Sequence, residues 1–194
     1  MKWDIIQPNS ISTKIDNRYK CKLFLAGPIR GNKSWRNKVI EDIKVQTENI
    51  DDNGIIISPQ WGEVTADPWH FKSQKFNEEA QVKFETTHLL DSDIIIFGLF
   101  TPDAAGREKA WTNTRDYAQT TRFELGRYTS TTVGKPNNSV IVYGEEGFKG
   151  LSYIKLMISK ENKNRRVFTT DYTVFLESIV KHIKDYTNGI YRRQ

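Results

Sequence analysis

The sequence predicts a doubly wound α/β domain: a mainly parallel sheet of five strands with helices on both faces. Short apolar runs recur along the chain, and helical patterns separate them. One run, Asp93-Ile94-Ile95-Ile96-Phe97-Gly98, is continuously apolar, as a central parallel strand buried on both faces should be.

The elements follow in order. Lys22-Leu23-Phe24-Leu25-Ala26 reads as a buried strand stopped by Gly27-Pro28. Trp35, Val39 and Ile43 then recur at four-residue spacing and mark one face of a helix. Gly54-Ile55-Ile56-Ile57-Ser58 is a second strand, closed by Pro59. Residues 74–90 have a helical pattern with Phe76, Ala80 and Phe84 on one stripe. After the central strand a helix is expected from Gln119 to Val133, then a strand at Ser139-Val140-Ile141-Val142-Tyr143. A short helix near 151–159 precedes a weaker strand, Arg166-Val167-Phe168-Thr169. In the last helix Tyr172, Phe175, Leu176, Ile179, Val180 and Ile183 keep i, i+3, i+4, i+7 spacing. With no internal repeat or low-complexity linker, 1–194 reads as a single domain of the flavodoxin or Rossmann kind. Residues 1–20 form an N-terminal extension, in which Trp3-Asp4-Ile5-Ile6 is a candidate extra edge strand.

Composition excludes several classes. A chain of 194 residues, 37% hydrophobic and 12% aromatic, can bury a globular core. Cys21 is the only cysteine, so no intrachain disulfide forms; its place in an apolar run suits a buried structural thiol. No metal or cofactor is expected. The N-terminus lacks a secretory layout and no apolar run reaches membrane-spanning length, so a cytoplasmic protein without a membrane partner is expected. The net charge of +5 suits nucleic acid or a phosphorylated small molecule. However, the basic residues are scattered among 24 acids and no aromatic-basic RNA-reading motif occurs, so a solvated surface is expected and no nucleic-acid partner.

Two connections are long for a compact domain: residues 59–73, with Trp61, Trp69 and His70, and residues 101–118. Both follow strands and should overhang the carboxyl edge of the sheet, where open α/β proteins bind ligands.

Three stretches carry candidate chemistry. Gly27-Pro28-Ile29-Arg30-Gly31 lies between a strand and a helix, where glycines permit close backbone approach and a helix N-terminus favours an anion. A tight turn with a solvated Arg30 fits the same spacing. Glu85, with Gln81 one turn earlier and His88 three residues later, can form a polar cluster aimed at the sheet edge or a solvated face; His88 lies near the apolar stripe and suits a boundary histidine. Thr121-Arg122-Phe123-Glu124 reads as a capping box. It also reads as a first-turn carboxylate held ionised by the helix dipole, ready to attack an electrophilic carbon. Spacing does not choose between these.

Taken in series, Phe24-Leu25-Ala26-Gly27-Pro28-Ile29-Arg30-Gly31 with Ser34-Trp35-Arg36, then Gln81-Val82-Lys83-Phe84-Glu85, Asp91-Ser92-Asp93-Ile94-Ile95-Ile96 and Arg122-Phe123-Glu124-Leu125-Gly126-Arg127, the chain resembles the nucleoside 2-deoxyribosyltransferase-like family. Ile6-Gln7-Pro8-Asn9-Ser10 is similar to the leader of one branch, and the likeness runs from about residue 3 to 135.

The resemblance implies an N-glycosidic mechanism. Glu124, in the Phe-Glu-Leu-Gly motif, would attack the anomeric carbon of a 2-deoxyribosyl group and form a covalent ester; Glu85 would assist departure of the base. The better-known transferases carry Asp at the Glu85 position, and a further Asp where this chain has Ala118-Gln119-Thr120-Thr121. The related deoxynucleoside 5′-monophosphate hydrolases use a Gly-Ser-Ile-Arg-Gly loop and a serine for the phosphate. Arg30 matches that arginine, Pro28 replaces the loop serine, and Thr120 or Thr121 stands in for the other. The implied substrate site thus comprises Gly27, Pro28, Ile29, Arg30, Thr120, Thr121 and the aromatic Trp61. The implied partners are a nucleoside or nucleotide, a free acceptor base and further copies of the chain in a homo-oligomer. Transfer of the sugar to another base is the first expectation and hydrolysis of a monophosphate the second. A non-catalytic nucleotide-binding sensor is the third, disfavoured by the presence of both carboxylates.

Overall fold

The computed structural model describes residues 1–8, 18–29, 35–60, 78–103, 117–130, 138–161 and 165–191. In chain order the elements are β1 (Lys2–Ile6), β2 (Cys21–Ala26), α1 (Trp35–Gln46), β3 (Asn53–Ile57), α2 (Glu78–Asp91), β4 (Ile94–Leu99), α3 (Gln119–Thr129), β5 (Ser139–Gly144), α4 (Leu151–Ser159), β6 (Arg166–Thr169) and α5 (Tyr172–Thr187).

The strands form one sheet in the order β1-β3-β2-β4-β5-β6, and every pairing is parallel. The fold is therefore the expected doubly wound α/β class, with six strands instead of five. The added strand is β1, whose Trp3 to Ile6 pair with Gly54 to Ile57 on the outer side of β3. An isolated apolar tetrapeptide does not declare a strand by itself; the free edge of β3 completes it.

Strand alternation builds two cores. Phe24, Ile55, Ile95, Phe97 and Val140 face one side, where Leu89 of α2, Leu125 of α3 and Ile154 of α4 cover them. Leu23, Leu25, Ile56, Ile94, Ile96 and Ile141 face the other, under Val39 and Ile43 of α1 and Phe175, Ile179 and Ile183 of α5. Cys21 is a buried free thiol in this second core. The chain leaves β2 toward β3 and then returns across it to β4, so the order reverses between β2 and β4. A reversal of this kind opens a crevice at the carboxyl ends of the two strands.

Two helices differ from the expectation. On α2 Phe84 of the expected stripe packs against the core, but Ala80 is exposed and the inward side also holds Gln81, Glu85 and Leu89; Phe76 lies outside the described residues. Helix α3 ends at Thr129, with Ser130 already extended (ψ 127°), four residues before Val133.

Candidate active site

The turn after β2 is built around Gly27, whose φ of 143° is a conformation L side chains rarely adopt. A Cβ there would stand 2.6 Å from the carbonyl oxygen of Gly98 and 2.8 Å from Cζ2 of Trp35. The Trp35 indole lies across both glycines, since a Cβ on Gly98 would meet its Cζ3 at 2.6 Å. The close approach that Gly27 permits is thus to the protein's own backbone and indole. The carbonyl of Pro28 accepts from Trp35 Nε1 at 3.1 Å and from Arg36 Nη1 at 2.9 Å, so it points into the fold. Ile29 closes the described part of the turn, and Arg30 lies outside the described residues.

Helix α2 presents Gln81 and Glu85 to the carboxyl edge. Gln81, buried, donates Nε2 to the carbonyl of Pro59 at 2.9 Å and to Glu85 Oε1 at 2.5 Å. These bonds fix the carboxylate against the exit of β3. His88, one turn further on, is not part of this cluster. It packs edge-on against Phe84 at 4.4 Å, and the nearby charges are Asp91 and Lys22, toward the amino ends of the strands.

Helix α3 supplies Glu124, and it does so without a capping box. The helix starts at Gln119 after Ala118, which is left-handed (φ 59°) and makes no side-chain cap. Thr121 is therefore in the third helical position, and Glu124 lies in the second turn. Neither residue caps, and the dipole argument for an ionised carboxylate fails with it, because the effect is confined to the first turn. Thr120 is exposed and Thr121 is buried.

The two carboxyl groups meet. Glu85 and Glu124 are hydrogen-bonded to each other, which requires a proton between them. Burial is the main reason that Glu124 holds its proton up to about pH 8; the negative charge of Glu85 adds to this, and the positive charge of Arg36 opposes it. Glu85 is also raised by burial, but the Gln81 amide, Arg36 and the proton on Glu124 all stabilise its ionised form. The hydrogen bond holds one proton on the pair, and burial pushes both carboxyls up, so the two titrate as a unit.

Two further residues that sequence reasoning did not name as candidates are Arg36, whose charge acts on the pair, and Tyr117, which faces Arg36. Arg36 of α1 is fully buried beneath the turn after β2. Tyr117, just before α3, donates its hydroxyl to the carbonyl of Phe100 at 2.9 Å, and burial raises its pKa far above 10. A signal for Arg36 was present: it shares the inward face of α1 with Ile40 and Ile43, at i+4 and i+7. Tyr117 had none. Trp61, Trp69, His70 and Asp116 lie outside the described residues. Among the described residues no group of three His, Cys, Asp or Glu side chains is arranged to hold a metal ion, and no helix is long and apolar enough to cross a membrane.

No protein-family model matches the chain, and no curated protein does. Among solved structures it is similar to the crystal structure of a conserved protein from Enterococcus faecalis V583, with 17% identity over 85% of this chain and 98% of that one and a TM-score of 0.41.

Proposed function

We propose that the protein cleaves the N-glycosidic bond of 2′-deoxynucleosides and passes the sugar to another base through a covalent ester on Glu124. The observation that carries this reading is the Glu85–Glu124 pair, hydrogen-bonded and sharing one proton at the carboxyl edge. A retaining displacement needs one ionised and one protonated carboxyl, and the pair has that inventory. Attack requires Glu124 ionised, so substrate entry must part the two groups and leave the shared proton on Glu85.

The step then balances. A Glu124 oxygen bonds to the anomeric carbon, the carbon–nitrogen bond breaks, and its electron pair takes the Glu85 proton as the neutral base leaves. An incoming base nitrogen, or water, attacks the same carbon from the opposite side. Glu85 accepts the proton it releases, and Glu124 leaves as carboxylate. The buried surroundings that strain the pair also exclude competing water.

The test is incubation with each deoxynucleoside and its 5′-monophosphate, with and without a free acceptor base, following base release and exchange by chromatography. Exchange that depends on Glu124 supports transfer, and release without an acceptor supports hydrolysis. No turnover of any of these substrates by the folded protein would overturn the reading.

A further inference from the structure

Arg36 belongs to α1, on the opposite face of the sheet from Glu85 and Glu124, and is 2% exposed. Its guanidinium lies under the turn after β2. Nη2 donates to the carbonyl of Gly27 at 2.7 Å, Nη1 to that of Pro28 at 2.9 Å, and Nε reaches that of Leu25 at 3.4 Å. The group also stacks on the Trp35 ring, 4.4 Å from its centroid.

Neutral carbonyls do not require a full positive charge. An amide side chain can tie a turn without the desolvation that a buried guanidinium suffers. Among the described residues Arg36 makes no ion pair. The acidic groups that face it are Glu85 from α2, Glu124 from α3 and the phenol of Tyr117. Burial lowers its own pKa to about 10, and those three groups act against the loss of its proton. Among the described residues Tyr128, on α3, is a further titratable group beside the pair.

We propose that Arg36 is a positioning residue for the N-glycosidic reaction: by its bonds it fixes the turn after β2, and by its charge it holds one negative charge on the Glu85–Glu124 pair. This rests on the reading above. Without a cation nearby, burial favours two protonated carboxyls, and no nucleophile is available. The balance of the step suits a fixed cation. Before it, Glu124 is ionised and Glu85 protonated; after it, Glu124 is a neutral ester and Glu85 is ionised. The pair carries one negative charge throughout, so Arg36 opposes neither direction.

The experiment follows the carboxyl titrations of [δ-13C]glutamate-labelled protein by NMR in the wild type, Arg36→Lys and Arg36→Met. Arg36→Met is expected to move the first ionisation of the pair up by at least one pH unit, about tenfold in proton affinity, while Arg36→Lys, which keeps the charge, moves it much less. The acidic limb of kcat/KM should move with it and KM should change little. If Arg36→Met does not fold, the wild type still decides: the 15N guanidinium signals of Arg36 must shift with the same midpoints as the two carboxyls. Carboxyl titrations unchanged in folded Arg36→Met, or an Arg36 signal that is flat through them, would overturn the assignment and leave a neutral turn staple. Coupled titrations in a protein that cleaves no deoxyriboside would instead sink the reaction and leave the hold of Arg36 on the pair standing.

Discussion

Glu85 on α2 and Glu124 on α3 share a hydrogen bond and a proton in a buried place that feels the charge of the Arg36 guanidinium. Nothing in the packing requires this. Two apolar side chains would fill the same space without the repulsion, so the pair is a stability cost.

That cost has a pH signature. Glu124 is raised from its ordinary 4.5 to about 8, so between those values the folded protein keeps a proton that the unfolded chain has released. Stability present below about pH 4.5 is therefore lost progressively as the pH rises to about 8. Glu124→Gln removes the titration and keeps a donor toward Glu85. It should abolish turnover, flatten this part of the stability profile and stabilise the protein at pH 8 by about 1.4 kcal/mol or more, the worth of one pKa unit. Urea unfolding at pH 5 and pH 8 checks this. A variant less stable than wild type at pH 8 would mean that Glu124 is held there for structural reasons.

Glu85→Gln separates proton donation from binding. The amide keeps the shape and cannot protonate a leaving base. Turnover should fall by about 10²–10⁴-fold, the usual contribution of a general acid, with KM nearly unchanged. A deoxyriboside whose leaving group needs no proton should lose far less. Steady-state kinetics on the two substrate types make the comparison, and equal losses on both would remove Glu85 from the role of acid.

The turn after β2 makes a packing prediction. In Gly27→Ala the new Cβ meets a backbone oxygen, that of Gly98, at 2.6 Å, and the φ of 143° strains any L residue. Overpacking alone costs about 1–3 kcal/mol, and the strained backbone about 1–3 kcal/mol more. A loss of about 2 kcal/mol or more in urea unfolding is expected. Gly126→Ala, with open space around it, serves as the control and should be neutral or stabilising.

How much of this was legible in the sequence differs by element. The apolar strands declared themselves because a parallel sheet covered on both faces needs continuous Val, Ile and Leu. Helix α2 declared its inward face only in part, because that face mixes apolar and polar residues. Phe84 and Leu89 pack on the core, but Val82 is 56% and Leu90 46% exposed while Gln81 is 5% exposed, so apolar residues alone do not mark it. Glu85 and Gln81 were still found as candidates, through their spacing and their likeness to a family motif. The capping box at Thr121 was a chance match; the helix begins two residues earlier, and Ala118 takes a left-handed conformation that composition does not reveal. That the carboxyls of Glu85 and Glu124 meet depends on α2 and α3 covering one face of the sheet, and no local pattern encodes that distance.

The last prediction concerns Arg30 and the 5′ end of the substrate. In the sequence Arg30 follows Pro28 by two residues, on the chain leaving β2. A guanidinium there suits a phosphate, which it can bind in bidentate fashion. If the substrate is a monophosphate, Arg30→Ala should weaken kcat/KM for it by roughly 2–5 kcal/mol, as when one partner of a buried charge pair is removed, and barely affect the free nucleoside. The carbonyl of Pro28 is already bound by Trp35 and Arg36, and proline has no backbone N–H, so this residue offers a phosphate no donor. That favours the nucleoside, for which Arg30→Ala should act alike on both substrate forms. Matched kinetics on deoxycytidine and deoxycytidine monophosphate, and on deoxyadenosine and its monophosphate, distinguish the two. A selective loss on the monophosphates would reverse the preference stated here and make the 5′-phosphate part of what the site recognises.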